Sequence, residues 1–316
     1  MSARKIIAVI GATGAQGGGL VRAILDDDGG EFVARAVTRK PDSEKAKELA
    51  RLGAEVVAAD LDDEATLVRA FEGAWGAYCV TNYWEHFSPE REKVQAGNMA
   101  RAAKKAGVKH VIWSTLEDTR NWVPLDDDRM PTLMQHYKVP HFDAKGESNQ
   151  IFLDAGVPVT FLVTSFYWDN FIYFGSGPKR GADGKLSLVF PMDDRPLPGI
   201  AAEDIGRCAY GVFKGGAEWV GKSVGIAGEH LSGTQMAAAL TRGMKEEVVY
   251  TPVPPDVYRS FGFPGADDLG NMFQFKRDFN SDFVKARDLS LSRSLNPRLQ
   301  SFEEWVQRNA HLIPRD

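Results

Sequence analysis

Apolar residues at Ile6, Ile7, Val9 and Ile10 make a short unbroken run of the kind a buried strand shows. Leu20, Val21 and Ile24 then fall at helical spacing. Further short apolar runs predict a second strand over Glu31–Val37, a third over Ala54–Ala58, a fourth over Ala77–Val80 and a fifth over Val108–Ser114. Helical patterns separate them, and that alternation predicts right-handed crossovers and a parallel sheet. Thr119–Val139, with Asp126–Asp128 and two prolines, has no clear period and reads as a surface loop over or near a functional cleft. Helix is expected again over Phe142–Asp154, then a turn at Gly156 and a sixth strand ending at Val163.

From Phe166 onward the chain shifts toward aromatic residues, glycine and proline. Val224–Ala227 and Glu247–Val253 resemble strands, Pro252–Pro255 is a turn, and Val257–Phe263 and Ala266–Phe275 carry aromatics at mixed helical spacing. Ser232 stands three residues before Gln235, and Ser301 three before Glu304, each ahead of a helical pattern. That is the spacing of a capping box, in which two side chains satisfy the first free N–H groups reciprocally.

Between the first strand and first helix, Gly11, Gly14 and Gly17 fall at G-x-x-G-x-x-G spacing. Gly11 permits a tight turn, Gly14 lets the backbone approach a pyrophosphate, and Gly17 lets the helix lie close on the sheet, with helix N–H groups facing the phosphates. The expectation is an α/β chain with a doubly wound, Rossmann-type parallel sheet that binds a dinucleotide. Residues 1–164 would form that domain and 165–316 a smaller α+β, substrate-side region, segments of which return to the sheet, so that the two are interleaved.

The 316 residues are 43% hydrophobic, enough for a substantial core, and the net charge of −5 is spread without a basic tract for nucleic acid. No run approaches the roughly 18 apolar residues of a membrane span. With Cys79 and Cys208 as the only cysteines and the first strand starting within a few residues of Met1, a reducing, cytoplasmic setting is expected. Cys79, in an apolar run, reads as a buried strand residue rather than a redox thiol. No metal-ligating set is read in the chain.

After the second strand, where NAD-selective sites carry an acid for the ribose, the chain reads Val37-Thr38-Arg39-Lys40. Thr38 offers a hydroxyl and Arg39 a fork of donors suited to a 2′-phosphate, so NADP(H) is the expected cofactor. Asp60 and Leu61, after the third strand, occupy the place that meets the adenine edge.

The segments GATGAQGG at Gly11–Gly18, VTR at Val37–Arg39, VTNYWE at Val80–Glu85, HFDAKGE at His141–Glu147 and GFPGADDLGNMFQF at Gly262–Phe275 resemble the NmrA-like family over nearly the whole chain. Within that family they look most like the branch that binds NADPH and responds to the NADPH/NADP ratio. The resemblance implies that the loop Gly11, Thr13, Gly14, Ala15, Gln16, Gly17, with Thr38, Arg39, Asp60 and Leu61, holds the phosphate and adenosine end. It implies that Thr81, Asn82 and Tyr83 line the cleft and that Lys145 approaches the nicotinamide ribose. Tyr167, Trp168, Asp169 and Asn170 would flank the nicotinamide, and Lys93 would stand near a cofactor-contacting lysine.

Short-chain dehydrogenases place a tyrosine four residues before their lysine, because the ammonium lowers the phenol's pKa. Here that position is His141. Tyr137 is two helical turns from Lys145, and Pro140 intervenes. Ser114 stands where such enzymes keep a substrate-polarising hydroxyl, or simply ends a strand. Two functions follow as expectations. One is a redox sensor or regulator whose NADPH occupancy alters a surface offered to a protein partner. The other is an NADPH-dependent reductase of a planar quinone, enone, dye or imine, with Lys145 or His141 as proton source, or Lys145 only orienting the ribose. Trp84, Phe166, Tyr167, Trp168 and Phe171 would pack as core or shape its apolar pocket. Monomer and homodimer both fit.

Overall fold

A computed structural model describes residues 4–27 and 29–315. Among these, seven parallel strands form one sheet: β1 (Lys5–Ile10), β2 (Phe32–Thr38), β3 (Glu55–Ala58), β4 (Gly76–Cys79), β5 (His110–Thr115), β6 (Val159–Val163) and β11 (Ser223–Gly225). Their order is β11-β6-β5-β4-β1-β2-β3, so the chain winds outward from β1 in one direction and then returns past it in the other. The crevice that ligands use in such sheets lies where the winding reverses, beyond the carboxyl ends of β1 and β4. Every expected strand of the first half is present, displaced by no more than two residues at either end.

Helices cover both faces: α1 (Ala15–Leu25), α2 (Glu44–Arg51), α3 (Glu64–Phe71), α4 (Pro89–Lys105) and α5 (Pro140–Asp154) connect the first six strands. Pro140 begins α5 at its first turn, where the missing N–H costs nothing, so Tyr137 lies outside the helix. α1 packs on α7 (Ala202–Gly215) at very close range. A methyl on Gly19 would stand 2.4 Å from the Glu203 carbonyl oxygen, and one on Gly206 2.1 Å from the Leu20 nitrogen. Backbone meets backbone there, which only glycine permits.

The remaining strands, β7 (Phe166–Tyr167), β8 (Lys179–Arg180), β9 (Leu186–Phe190), β10 (Leu197–Ile200), β12 (Glu229–Leu231) and β13 (Val248–Pro252), form two three-stranded sheets ordered β12-β10-β7 and β13-β9-β8. The first short helix of this region is α6 (Asn170–Tyr173); later come α8 (Gly233–Met244), α9 (Pro255–Arg259) and α10 (Ala266–Asp278). Both capping boxes form, at Ser232 with Gln235 and at Ser301 with Glu304. One core here is rich in phenylalanine and tryptophan, including Phe166, Trp168, Phe171, Phe190, Phe273 and Trp305. No helix among the described residues is long and apolar enough to cross a membrane. Cys79 and Cys208 are buried free thiols, their pKa pushed up by that burial.

Candidate functional site

A cleft of about 820 Å³ runs across the carboxyl edge of the sheet, within the size range of small-molecule sites. Its floor is the turn between β1 and α1. Gly11 has φ +65°, and a methyl on Gly17 would lie 2.5 Å from the Gly11 carbonyl oxygen, so the turn closes only with glycine at both places. Gly14 precedes α1 with no side chain capping it, leaving the first N–H groups of the helix for an anion. This cradle fits a dinucleotide pyrophosphate.

Gln16, in the first turn of α1, binds three hydroxyls at once. Its Nε2 donates to the Tyr167 hydroxyl (2.7 Å), and its Oε1 accepts from Tyr78 (2.6 Å) and Ser114 (2.8 Å). Ser114 is thereby tied into this knot and stands outside the cleft lining.

At the far end of β2, Thr38, Arg39 and Lys40 line the cleft with Lys45 of α2, a cation the sequence reading missed. Arg39 donates to both carboxylate oxygens of Glu85, at 2.5 and 2.9 Å. That fork holds the Glu85 carboxyl below its ordinary range and raises the Arg39 pKa. Asp60 and Leu61 line the same end, and Asn98 donates to the Leu61 carbonyl (2.7 Å).

In the middle, Thr81, Asn82 and Tyr83 follow β4 along the cleft wall. Lys145 of α5 donates to the Thr81 hydroxyl and to Glu92 of α4, each at 2.6 Å. Glu92 is fully buried and was not anticipated. The expected residue was its neighbour Lys93, which the structure keeps out of the cleft lining. A helix turns about 100° per residue, so Lys93 faces aside, to the Tyr137 hydroxyl (3.1 Å), Glu90 and Glu147 (both 3.0 Å). Tyr137 is held in that outer group and reaches neither Lys145 nor the cleft.

His141 sits one helical turn before Lys145 and is 5% exposed. Its Nδ1 lies 2.6 Å from Asp268 of α10, and its ring packs against Trp84, centroids 4.7 Å apart. A carboxylate at Nδ1 fixes the ring's orientation and its hydrogen-bonded nitrogen. The loop Thr119–Val139 adds nothing to the lining. It is pinned behind the wall instead: Asn271 donates to the carbonyls of Pro131 and Lys138, Gln274 to that of Arg129, and Asp143 accepts from Thr119, Lys138 and Val139.

The inner part of the cleft is a chamber lined by Phe142, Phe166, Leu269, Met272, Phe273 and Lys276. Leu269, Met272, Phe273 and Lys276 stand at i, i+3, i+4 and i+7 on one face of α10. That periodicity was present in the aromatic stretch and would have identified the face. Of the stretch beginning at Tyr167, only Tyr167 and Asn170 line the cleft. Trp168, just past the end of β7, packs into the core beside Phe302 (5.2 Å) and is 1% exposed. The Asp169 carboxylate accepts from the Ala202 N–H (2.8 Å) at the start of α7.

Residues 3–306 match the model of the NmrA-like family. An NmrA-like family domain-containing protein of Dictyostelium discoideum is 27% identical over 309 residues, covering 96% of this chain and 97% of that protein. An NmrA-like family domain-containing oxidoreductase, FrzB of a Cladobotryum species, is 29% identical over 294 residues, 85% of this chain and 83% of its own. Among solved structures, NmrA, a negative transcriptional regulator in complex with NADP, superposes with a TM-score of 0.76 at 24% identity, over 97% of this chain and 95% of its own, which shows the fold.

Proposed function

This chain belongs to the NmrA-like family, and from that premise we propose that it binds NADP(H) and acts as an NADPH-dependent reductase of a planar quinone, enone, dye or imine. One observation carries the reading. The glycine cradle, Lys145 and the apolar residues Phe142, Phe166, Leu269, Met272 and Phe273 line one continuous cleft of about 820 Å³. The oxidoreductase named among the relatives supports it.

Gly11, Gly14 and Gly17 would hold the pyrophosphate, with Thr13, Ala15 and Gln16 in the same turn, and Asp60 and Leu61 the adenine edge. Arg39, released from Glu85, would take the 2′-phosphate with Thr38, Lys40 and Lys45 around it. Thr81, Asn82, Tyr83, Tyr167 and Asn170 would border the nicotinamide. A reduced nicotinamide supplies a hydride when bound. Lys145, fixed by Glu92 and Thr81, orients the ribose. His141, fixed by Asp268, ties α5 to α10 and keeps the chamber wall closed to water.

A second reading, a sensor that binds NADPH without turning it over, is favoured by the state of the two groups the sequence offers for proton transfer. Both are engaged by carboxylates, and no tyrosine stands four residues before Lys145. Nicotinamide absorbance separates the two readings. With saturating NADPH and a panel of quinones, enones, triphenylmethane dyes and cyclic imines, a reductase consumes NADPH and Lys145→Ala slows it. Saturable binding without turnover of any acceptor sinks the reductase and leaves the sensor.

A further inference from the structure

Lys276 is the least ordinary cation in the molecule. It lies in the last turn of α10, 2% exposed, and it lines the chamber. Its Nζ stands 5.3 Å from the ring centroids of Phe142 and Phe283, 5.6 Å from Phe273 and 5.9 Å from Phe166. Three of those rings also line the chamber. Its one hydrogen-bond acceptor among the described residues is the Met272 sulfur at 3.3 Å, a weak partner for an amine. No carboxylate among the described residues forms an ion pair with it. Glu117, an acid that bears on it electrostatically, is spent on Arg287 at 2.6 Å.

A buried amine with no oxygen partner is costly, and aromatic faces repay only part of its lost hydration. Burial, with Arg287 adding to it and Glu117 opposing, pushes the Lys276 pKa down to about 7. Near neutral pH it therefore exists in both forms, able to give a proton and to take one back.

We propose that Lys276 is the ligand-binding amine of the chamber, taking the oxygen of a planar carbonyl or phenol that the surrounding rings hold flat. Resting on the reductase reading, the consequence for chemistry is balanced. As hydride from the reduced nicotinamide reaches the acceptor's carbon or conjugated ring, the carbonyl π electrons move to oxygen. The Lys276 ammonium gives that oxygen its proton, and the neutral amine regains one from water after product leaves. Lys145 and His141, each held by a carboxylate, then position and wall the site.

The experiment uses 4-nitrophenol, whose coloured band reports its ionised form, titrated into the NADP-loaded protein. Wild type should bind it as the ionised form. Lys276→Met, close in shape and lacking the amine, should bind it about ten- to a hundredfold more weakly, the loss of one hydrogen bond to a charged group, while its NADPH affinity stays unchanged and its circular dichroism native. Equal affinity and an equal band in the variant, or no binding to wild type, overturns the proposal. Reduction of 1,4-naphthoquinone by NADPH is then measured beside it. A Lys276-dependent band without turnover defeats the reductase reading alone, and turnover equal in wild type and variant defeats the role of Lys276 alone. Where both hold, kcat should fall as pH rises through about 7 in wild type, and that limb should vanish in Lys276→Met.

Discussion

The two ends of the cleft are built on different principles. The phosphate end is made of neighbours in sequence: Gly11 to Gly17 in one turn, Thr38 to Lys40 at one strand end. The chamber is made of strangers, with His141 meeting Asp268 across 127 residues and Lys138 meeting Asn271 across 133. The first end depends on backbone shape, where a side chain does harm. The second depends on paired side chains, where losing one partner strands the other.

If that contrast is right, substitutions at the two ends fail in different ways. The largest effect belongs between them. Glu92→Ala would leave the part-buried Lys145 ammonium without its carboxylate, held by the Thr81 hydroxyl and carbonyl alone among oxygens, and chemical unfolding should show a loss of about 3 kcal/mol. A loss below 1 kcal/mol would mean that solvent already compensates Lys145. At the chamber end the sign reverses for Lys276→Met. Wild-type Lys276 titrates near 7 when folded and near its ordinary 10.5 when unfolded, so the unfolded chain holds the extra proton between those values. Wild-type stability therefore rises with pH across that window. The variant should be more stable than wild type by a few kcal/mol at pH 6, with the gain shrinking toward pH 10; thermal melts across pH measure it.

At the phosphate end the fold should survive while affinity fails. Gly17→Ala forces a methyl against the Gly11 carbonyl, and calorimetry should show NADPH binding weakened by about a hundredfold or more, roughly 3 kcal/mol. Arg39→Ala should weaken NADPH by about 1.5–3 kcal/mol and leave NADH almost unchanged. Equal losses for both cofactors would remove Arg39 from phosphate selection. The smallest effect sharpens that point. Glu85→Gln frees Arg39 from an exposed ion pair and should tighten NADPH by no more than about 1 kcal/mol.

The same contrast explains what could be read from the chain. Strands β1 to β6, the glycine turn, Arg39 and both capping boxes are local patterns, and each is found within two residues of its expected place. Lys93, Trp168 and Asp169, which the resemblance implies near the cofactor, stand outside the cleft lining that Tyr167 and Asn170 share. Local spacing places such residues along the chain but does not say which way each one faces. The Thr119–Val139 loop lacked a period because its order comes from Asn271, Gln274 and Asp143, none of them next to it in a repeating pattern. Lys276 gave no signal as a single lysine, although its helix face did.

Gln16 sets a rule about replaceability. One amide spends its donor on Tyr167 and its acceptor on both Tyr78 and Ser114, and no other residue of that length offers both. A library that randomises these four positions singly should be strictest at Gln16, whose loss orphans the Tyr78 and Ser114 hydroxyls, and laxest at Tyr78 and Ser114, since removing either leaves the Gln16 acceptor its other donor. Randomised together, the quartet has a second solution, in which all four become apolar at matched volume and nothing polar is left unpaired. Gln16 is thus the position that must change last, and a chain that loses it before its partners is the valley between the two solutions.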